Sequence, residues 1–176
     1  GSTPTTVSAS NVLWDIDGTS DTSSNIEHLG HILQPGVIGS GKDGQWYYFV
    51  GNGYESQDDK AKLLAIRISD GAITMVDTDN AGGSDPASSN VNLRPNGLGG
   101  ITPVYDANRN IVAIYGGDRL GRMWKFDLSS TNRSASSSTL LFTAADGLGN
   151  RRALALAVRR VRSGGAHGRV RRRRHR

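Results

Sequence analysis

The chain reads as all-β, part of a propeller of antiparallel four-stranded blades, and two observations carry that reading. First, one unit is written twice. Lys62-Leu63-Leu64-Ala65-Ile66-Arg67-Ile68-Ser69 lines up without a gap on Arg122-Met123-Trp124-Lys125-Phe126-Asp127-Leu128-Ser129. Second, each copy is preceded by the same punctuation: an aromatic-aliphatic run ending in glycine (Trp46 to Gly51, Ile111 to Gly116) and, further upstream, a proline before a valine (Pro35-Gly36-Val37, Pro103-Val104). A repeat of strands and glycine turns, about 60 residues long, is the signature of propeller blades. One blade cannot bury both of its faces, so the chain is expected to be a piece of something larger.

The strands follow in order. Val12–Ile16 closes on Asp17-Gly18 and is expected as the last strand of a preceding blade. The first full blade is placed at Leu33–Ile38, Trp46–Gly51, Leu63–Ile68 and Ile73–Asp77. The second is placed at Ile101–Tyr105, Ile111–Tyr115, Met123–Leu128 and Thr139–Thr143. Apolar strands ending on Asp-Gly or Asp-Asn, at 17–18, 79–80 and 146–147, carry turn pairs that tolerate positive φ. Alternation puts Leu64, Ile66 and Ile68 on one face, and Trp124, Phe126 and Leu128 on the equivalent face. Pro35 and Pro103 fall in first strands, edges where a missing N–H is tolerated. Ser20–Asn25 and Asn80–Asn92 read as polar surface loops.

Composition sets the limits. Of 176 residues, 36% are hydrophobic and 23 are glycine, which suits short strands and many turns. There is no cysteine, which rules out disulfides and thiolate metal sites. No apolar run approaches the length of a membrane span. The net charge of +5 hides an asymmetry: residues 1–150 hold 10 Lys and Arg against all 16 Asp and Glu, whereas residues 151–176 hold 11 Arg and no acid. The division is therefore an N-terminal extension at 1–10 (Gly1-Ser2 resembling a cloning scar), a partial propeller at 11–150 with about two blades plus one strand, and a disordered arginine-rich tail at 151–176. The tail is rich in residues with GC-rich codons, as a reading-frame shift after about Asn150 would produce. A genuine arm would instead bind nucleic acid or another anionic surface through phosphate contacts.

Few constellations carry chemistry. Asp106-x-Asn108-x-Asn110 has the alternate oxygen ligands of a calcium loop, but Ile111 replaces the glycine and no acid closes the loop. It is expected to be a weak, degenerate calcium site at best. Glu27-His28 with His31 is not the zinc-protease pattern and reads as a loop pair. Gly39-Ser40-Gly41-Lys42 lies between two strands and reads as a hairpin turn, not a phosphate loop. Trp46-Tyr47-Tyr48-Phe49 reads as core packing. No nucleophile with a base is legible, so no catalytic residue is assigned and the chain is expected not to be an enzyme.

Leu29-Gly30, Gln34-Pro35, Trp46, Gly51-Asn52-Gly53-Tyr54, Asn96-Gly97-Leu98, Thr102-Pro103-Val104, Tyr115-Gly116-Gly117-Asp118 and Gly121–Leu128 occur in an order that resembles the C-terminal propeller of the PilY family of type IV pilus tip-associated proteins. The resemblance runs from about residue 11 to residue 148. It implies an exported, non-catalytic fragment of a pilus biogenesis protein and tip adhesin. Its partners would be pilus components, the missing blades or a host-surface ligand. It also implies calcium as the one candidate ion, at Asp106, Asn108 and Asn110. The alternatives are a fragment of a quinone-cofactor dehydrogenase propeller, and binding of nucleic acid through the tail.

Overall fold

The computed structural model describes residues 12–16, 26–78 and 94–145. They form two four-stranded antiparallel sheets, each in simple sequential order. The first sheet contains β1 (Val37–Ser40), β2 (Trp46–Gly51), β3 (Lys62–Arg67) and β4 (Ile73–Asp77). The second contains β5 (Leu98–Tyr105), β6 (Ile111–Asp118), β7 (Arg122–Asp127) and β8 (Ser137–Thr143). The gap-free match in sequence is also a match in structure: β3 and β7 begin and end at equivalent residues.

Register explains the core. Val37, Phe49 and Ala65 pair across the first sheet and share a face, as do Leu63 and Val76. In the second sheet Ile101, Gly116 and Trp124 share a face, and so do Pro103, Ile114 and Phe126. These two faces meet and enclose one cluster containing Phe49, Leu63, Ala65, Ile114, Trp124 and Phe126. Full burial of a Phe-sized side chain stabilises by about 1.5–3 kcal/mol, so this contact dominates the fold.

Leu64 and Ile66, equivalent to Trp124 and Phe126, point the opposite way from Leu63 and Ala65. With Val50 they form a second cluster, covered by Trp14, Ile16 and Leu29. Each blade therefore turns its equivalent face in the same direction. The second blade finds the first there, and the first finds residues 12–16. The alternate face of β3, which reads as mixed in the sequence, is the one that packs against the second blade.

Three expectations are corrected. Val12–Ile16 forms no ladder; Trp14 instead donates its indole N–H to the Ile68 carbonyl at 2.8 Å and lies against the second cluster. The first strand of the first blade is β1, starting at Val37, so Leu33 and Pro35 lie before it. The reason is local: Pro35 has no N–H to give, and the Gly36 N–H goes to the Tyr48 hydroxyl at 3.2 Å rather than to a ladder partner. Trp46 is 58% exposed at the start of β2, unlike Tyr47 and Phe49, which are buried. The expected turn pairs at 17–18, 79–80 and 146–147, the loops at 20–25 and 80–92, and the tail lie outside the described residues.

An extra residue in β6 re-aims the chain. Val104 pairs with Ala113 but Tyr105 pairs with Ile111, leaving Val112 as a bulge. Both Ile111 and Ile114 then reach the same core. Val112 is not wasted, because its carbonyl accepts the Leu128 N–H at 2.9 Å.

Candidate functional site at the two ends of the blades

Antiparallel order sorts the connections onto two ends. One end carries the turns at 41–45, 68–72 and 106–110 and the loop at 128–136. The other carries 52–61 and 118–121.

At the second end a buried polar anchor ends the second strand of each blade. Asn52 accepts the Lys62 N–H at 3.0 Å and the Leu98 N–H at 3.1 Å on Oδ1, and donates Nδ2 to the carbonyls of His28 and Lys60. Asp118 accepts the Arg122 N–H at 2.8 Å on Oδ1, and on Oδ2 the Asn96 amide at 2.9 Å and the Trp124 indole at 3.0 Å. Lys62 and Arg122 are the equivalent first residues of β3 and β7, so the two anchors do one job. Both are fully buried. Asn52 also links the blades through Leu98. Gly51 and Gly97 allow that approach: a Cβ on Gly51 would lie 2.5 Å from the Leu98 carbonyl oxygen, and one on Gly97 would lie 2.0 Å from that of Gly53. Sequence reasoning assigned no role to Asn52 or Asp118. The available signal was their shared place, after a glycine that ends an aromatic-aliphatic run.

Nearby, Ile26–His28 makes one 3-10 turn, and His28 Nδ1 lies 2.6 Å from Asp58 Oδ2. His31 instead pairs its backbone with Tyr54 and its ring approaches Glu55 at 3.8 Å. The two histidines have different partners, as a loop pair would. Lys62 is buried, contacts Asp77 and lies 3.7 Å from Asp58.

At the first end, Gly39–Lys42 leads into the β1–β2 turn, with Gly44 at φ +76°. The segment is a hairpin, as its position between strands predicts. Asp106, Asn108 and Asn110 do come together, in the β5–β6 hairpin. Asp106 Oδ1 accepts the N–H of Asn108 at 2.9 Å and of Asn110 at 2.8 Å, and Oδ2 accepts the Asn110 amide at 3.2 Å. These bonds hold the Asp106 carboxyl below its ordinary pKa. Asn110 Oδ1 accepts the Ser40 hydroxyl at 3.0 Å, and the Ser40 backbone bridges to Asn110, which ties the hairpin to the first blade. An ion at this place would have to displace all four donors. The loop fits a self-capped turn better than a calcium cage, which needs six to eight oxygens.

At the same end of the blades lies a cleft of about 290 Å³, whose lining includes Asp43, Arg67, Thr74 and Arg133. The Tyr47 hydroxyl donates to Asp43 Oδ2. Burial, then the bond to Asp43, pushes the Tyr47 hydroxyl up to about 12. Arg133 stacks on the Tyr47 ring, with its guanidinium carbon 5.7 Å from the centroid. These residues come from three strands and two connections spread between residues 43 and 133, so no local motif could announce them.

The comparisons agree with this architecture. The family model for the PilY1 beta-propeller domain matches residues 4–166. A type IV pilus biogenesis factor PilY1 homolog from Xylella fastidiosa is 33% identical over 131 residues, 72% of this chain and 8% of that protein. The type IV pilus biogenesis factor PilY1 of Pseudomonas aeruginosa is 30% identical over 124 residues, 70% of this chain and 10% of that protein. The crystal structure of the Pseudomonas aeruginosa PilY1 C-terminal domain superposes with a TM-score of 0.64 at 26% identity, over 80% of this chain and 30% of that one. The chain thus spans about a tenth of the length of the two full-length relatives and under a third of the crystallised domain. Repeated blades, equivalent buried anchors and these matches together show that the chain belongs to the PilY1 beta-propeller family.

Proposed function

We propose that these two blades form part of the propeller of a type IV pilus biogenesis factor and act by binding, without catalysis, in an exported protein at the cell surface. The observation that carries the reading is the family match over residues 4–166. Its partners are pilus components or further blades, and a surface ligand is a second class. Among the described residues no helix is long and apolar enough to cross a membrane. Any calcium held by Asp106, Asn108 and Asn110 is weak, because the hairpin already uses the oxygens of Asp106 and Asn110. The same family match favours this reading over a fragment of a quinone-cofactor dehydrogenase. Nucleic-acid binding through the arginine-rich segment 151–176 is not favoured.

Deletion of residues 37–143 from the intact protein, in the bacterium that encodes it, tests the assignment. Surface pili counted by electron microscopy should fall sharply. Unchanged piliation and unchanged surface attachment would overturn the proposal.

A further inference from the structure

The two blades turn equivalent faces in the same direction but cover them unequally. On the second blade, Trp124 and Phe126 meet a whole sheet. On the first, the equivalent Leu64 and Ile66, with Val50, lie beneath Trp14, Ile16 and Leu29. Residues 12–16 join no ladder. They form an extended strap whose alternation turns Trp14 and Ile16 onto the blade and leaves Leu13 and Asp15 exposed. Its hold is made by side chains: Trp14 and Ile16 pack on the cluster, and the Trp14 indole N–H reaches the Ile68 carbonyl at 2.8 Å.

The seat for that indole is built into the sheet and the β3–β4 turn. Ile68 is fixed by its own N–H, bonded to the Trp46 carbonyl at 2.8 Å, and its carbonyl takes the indole. Gly71 stands at φ +72°, and a Cβ there would lie 2.8 Å from Trp14 Cγ, so a glycine leaves room for the ring. Val50, Leu64 and Ile66 form the floor, on strands laddered to each other. A fixed acceptor, a gap left by glycine and a firm apolar floor recognise a tryptophan whichever chain supplies it. We propose that this face of the first blade is an acceptor site for an extended segment of another chain, carrying tryptophan and, two residues on, an aliphatic side chain. Residues 12–16 fill the site in cis and keep it closed, and withdrawing the strap opens it. Because the site reads side chains, the order Trp-x-aliphatic sets its specificity. The inference rests on the first blade alone and does not depend on the pilus assignment.

The test is fluorescence anisotropy of a labelled synthetic peptide of residues 11–17 with the 176-residue chain. Trp14→Ala in the chain vacates the seat, and this variant should bind the peptide about tenfold or more tighter than the wild-type chain does. Ile16→Ser, which loosens the strap and leaves the seat intact, should raise binding in the same direction, so the answer does not hang on one variant folding. The peptide carrying Trp14→Ser should not bind. Gly71→Ala added to the Trp14→Ala chain should weaken peptide binding about tenfold or more, with circular dichroism showing the strands retained. No gain in peptide binding in either strap variant, equal binding of the Trp14→Ser peptide, or unchanged binding with Gly71→Ala would each overturn the proposal.

Discussion

Asp118 accepts three hydrogen bonds from side chain and backbone in a site closed to water, with the buried Arg122 guanidinium 3.9 Å away. Asp118→Ala strands three buried donors, the Arg122 N–H, the Asn96 amide and the Trp124 indole, and should lower stability by at least about 1–3 kcal/mol in urea unfolding. Asn52→Ala strands two buried backbone N–H groups without leaving a charge, and should cost about 1–3 kcal/mol. Tyr47 gives a pH prediction. Its pKa is raised from 10.0 to about 12, so its contribution to stability is complete below pH 10 and is lost as pH rises through about 12. Thermal melts between those values should show a fall in the wild type that is smaller in Tyr47→Phe. Equal slopes would remove Tyr47 from the account. These anchors were poorly legible in the sequence. A buried Asp looks like any turn Asp until the residues that donate to it, Asn96 and Trp124, are brought to it from 22 residues upstream and 6 downstream.

Strands were legible where an apolar run is bounded by polar or turn residues and illegible where backbone bonding decides. β3, β4 and β7 fall within a residue of their expected limits because each is such a bounded run. The segments 33–36 and 12–16 do not, since Gly36 gives its N–H to the Tyr48 hydroxyl and Trp14 joins the first blade through its indole N–H to Ile68, not through a ladder. β5 begins three residues early at Leu98, and the reason is tertiary: the Leu98 N–H is bonded to Asn52 of the other blade. At this scale the close approach is testable. Gly51→Ala would set a methyl against the Leu98 and Gly99 carbonyls and should destabilise by about 1–3 kcal/mol, read by chemical unfolding. The β5–β6 hairpin gives the metal prediction. Calorimetry should show no sub-micromolar calcium binding, and Asp106→Ala should reduce hairpin stability without changing any calcium heat. Tight binding lost in that variant would reinstate the calcium loop.

At the scale of the molecule, the faces in the blade contact are buried and the far faces stay partly open. Ile38 and Trp46 are exposed on the far face of the first blade, and Val104 and Phe142 on the far face of the second. The family and the repeat were readable because both rest on ordered local elements; how the blades face each other was not, since leucines fill both faces of β3. A chain with two different sticky faces should associate head to tail. Sedimentation velocity should show mass rising with concentration, and Trp46→Ser with Phe142→Ser should suppress it. The central claim is that the two repeats stack as adjacent blades in the arrangement described. The chain has no cysteine, so an engineered pair reports without background. Ser40 and Asn110 are bridge partners across the two sheets. Oxidation of the Ser40→Cys, Asn110→Cys variant, read by mass spectrometry of its tryptic peptides, should give one intramolecular disulfide joining the β1 peptide to the β5–β6 hairpin. Free thiols, or a disulfide found only between molecules, would contradict the stacked-blade account.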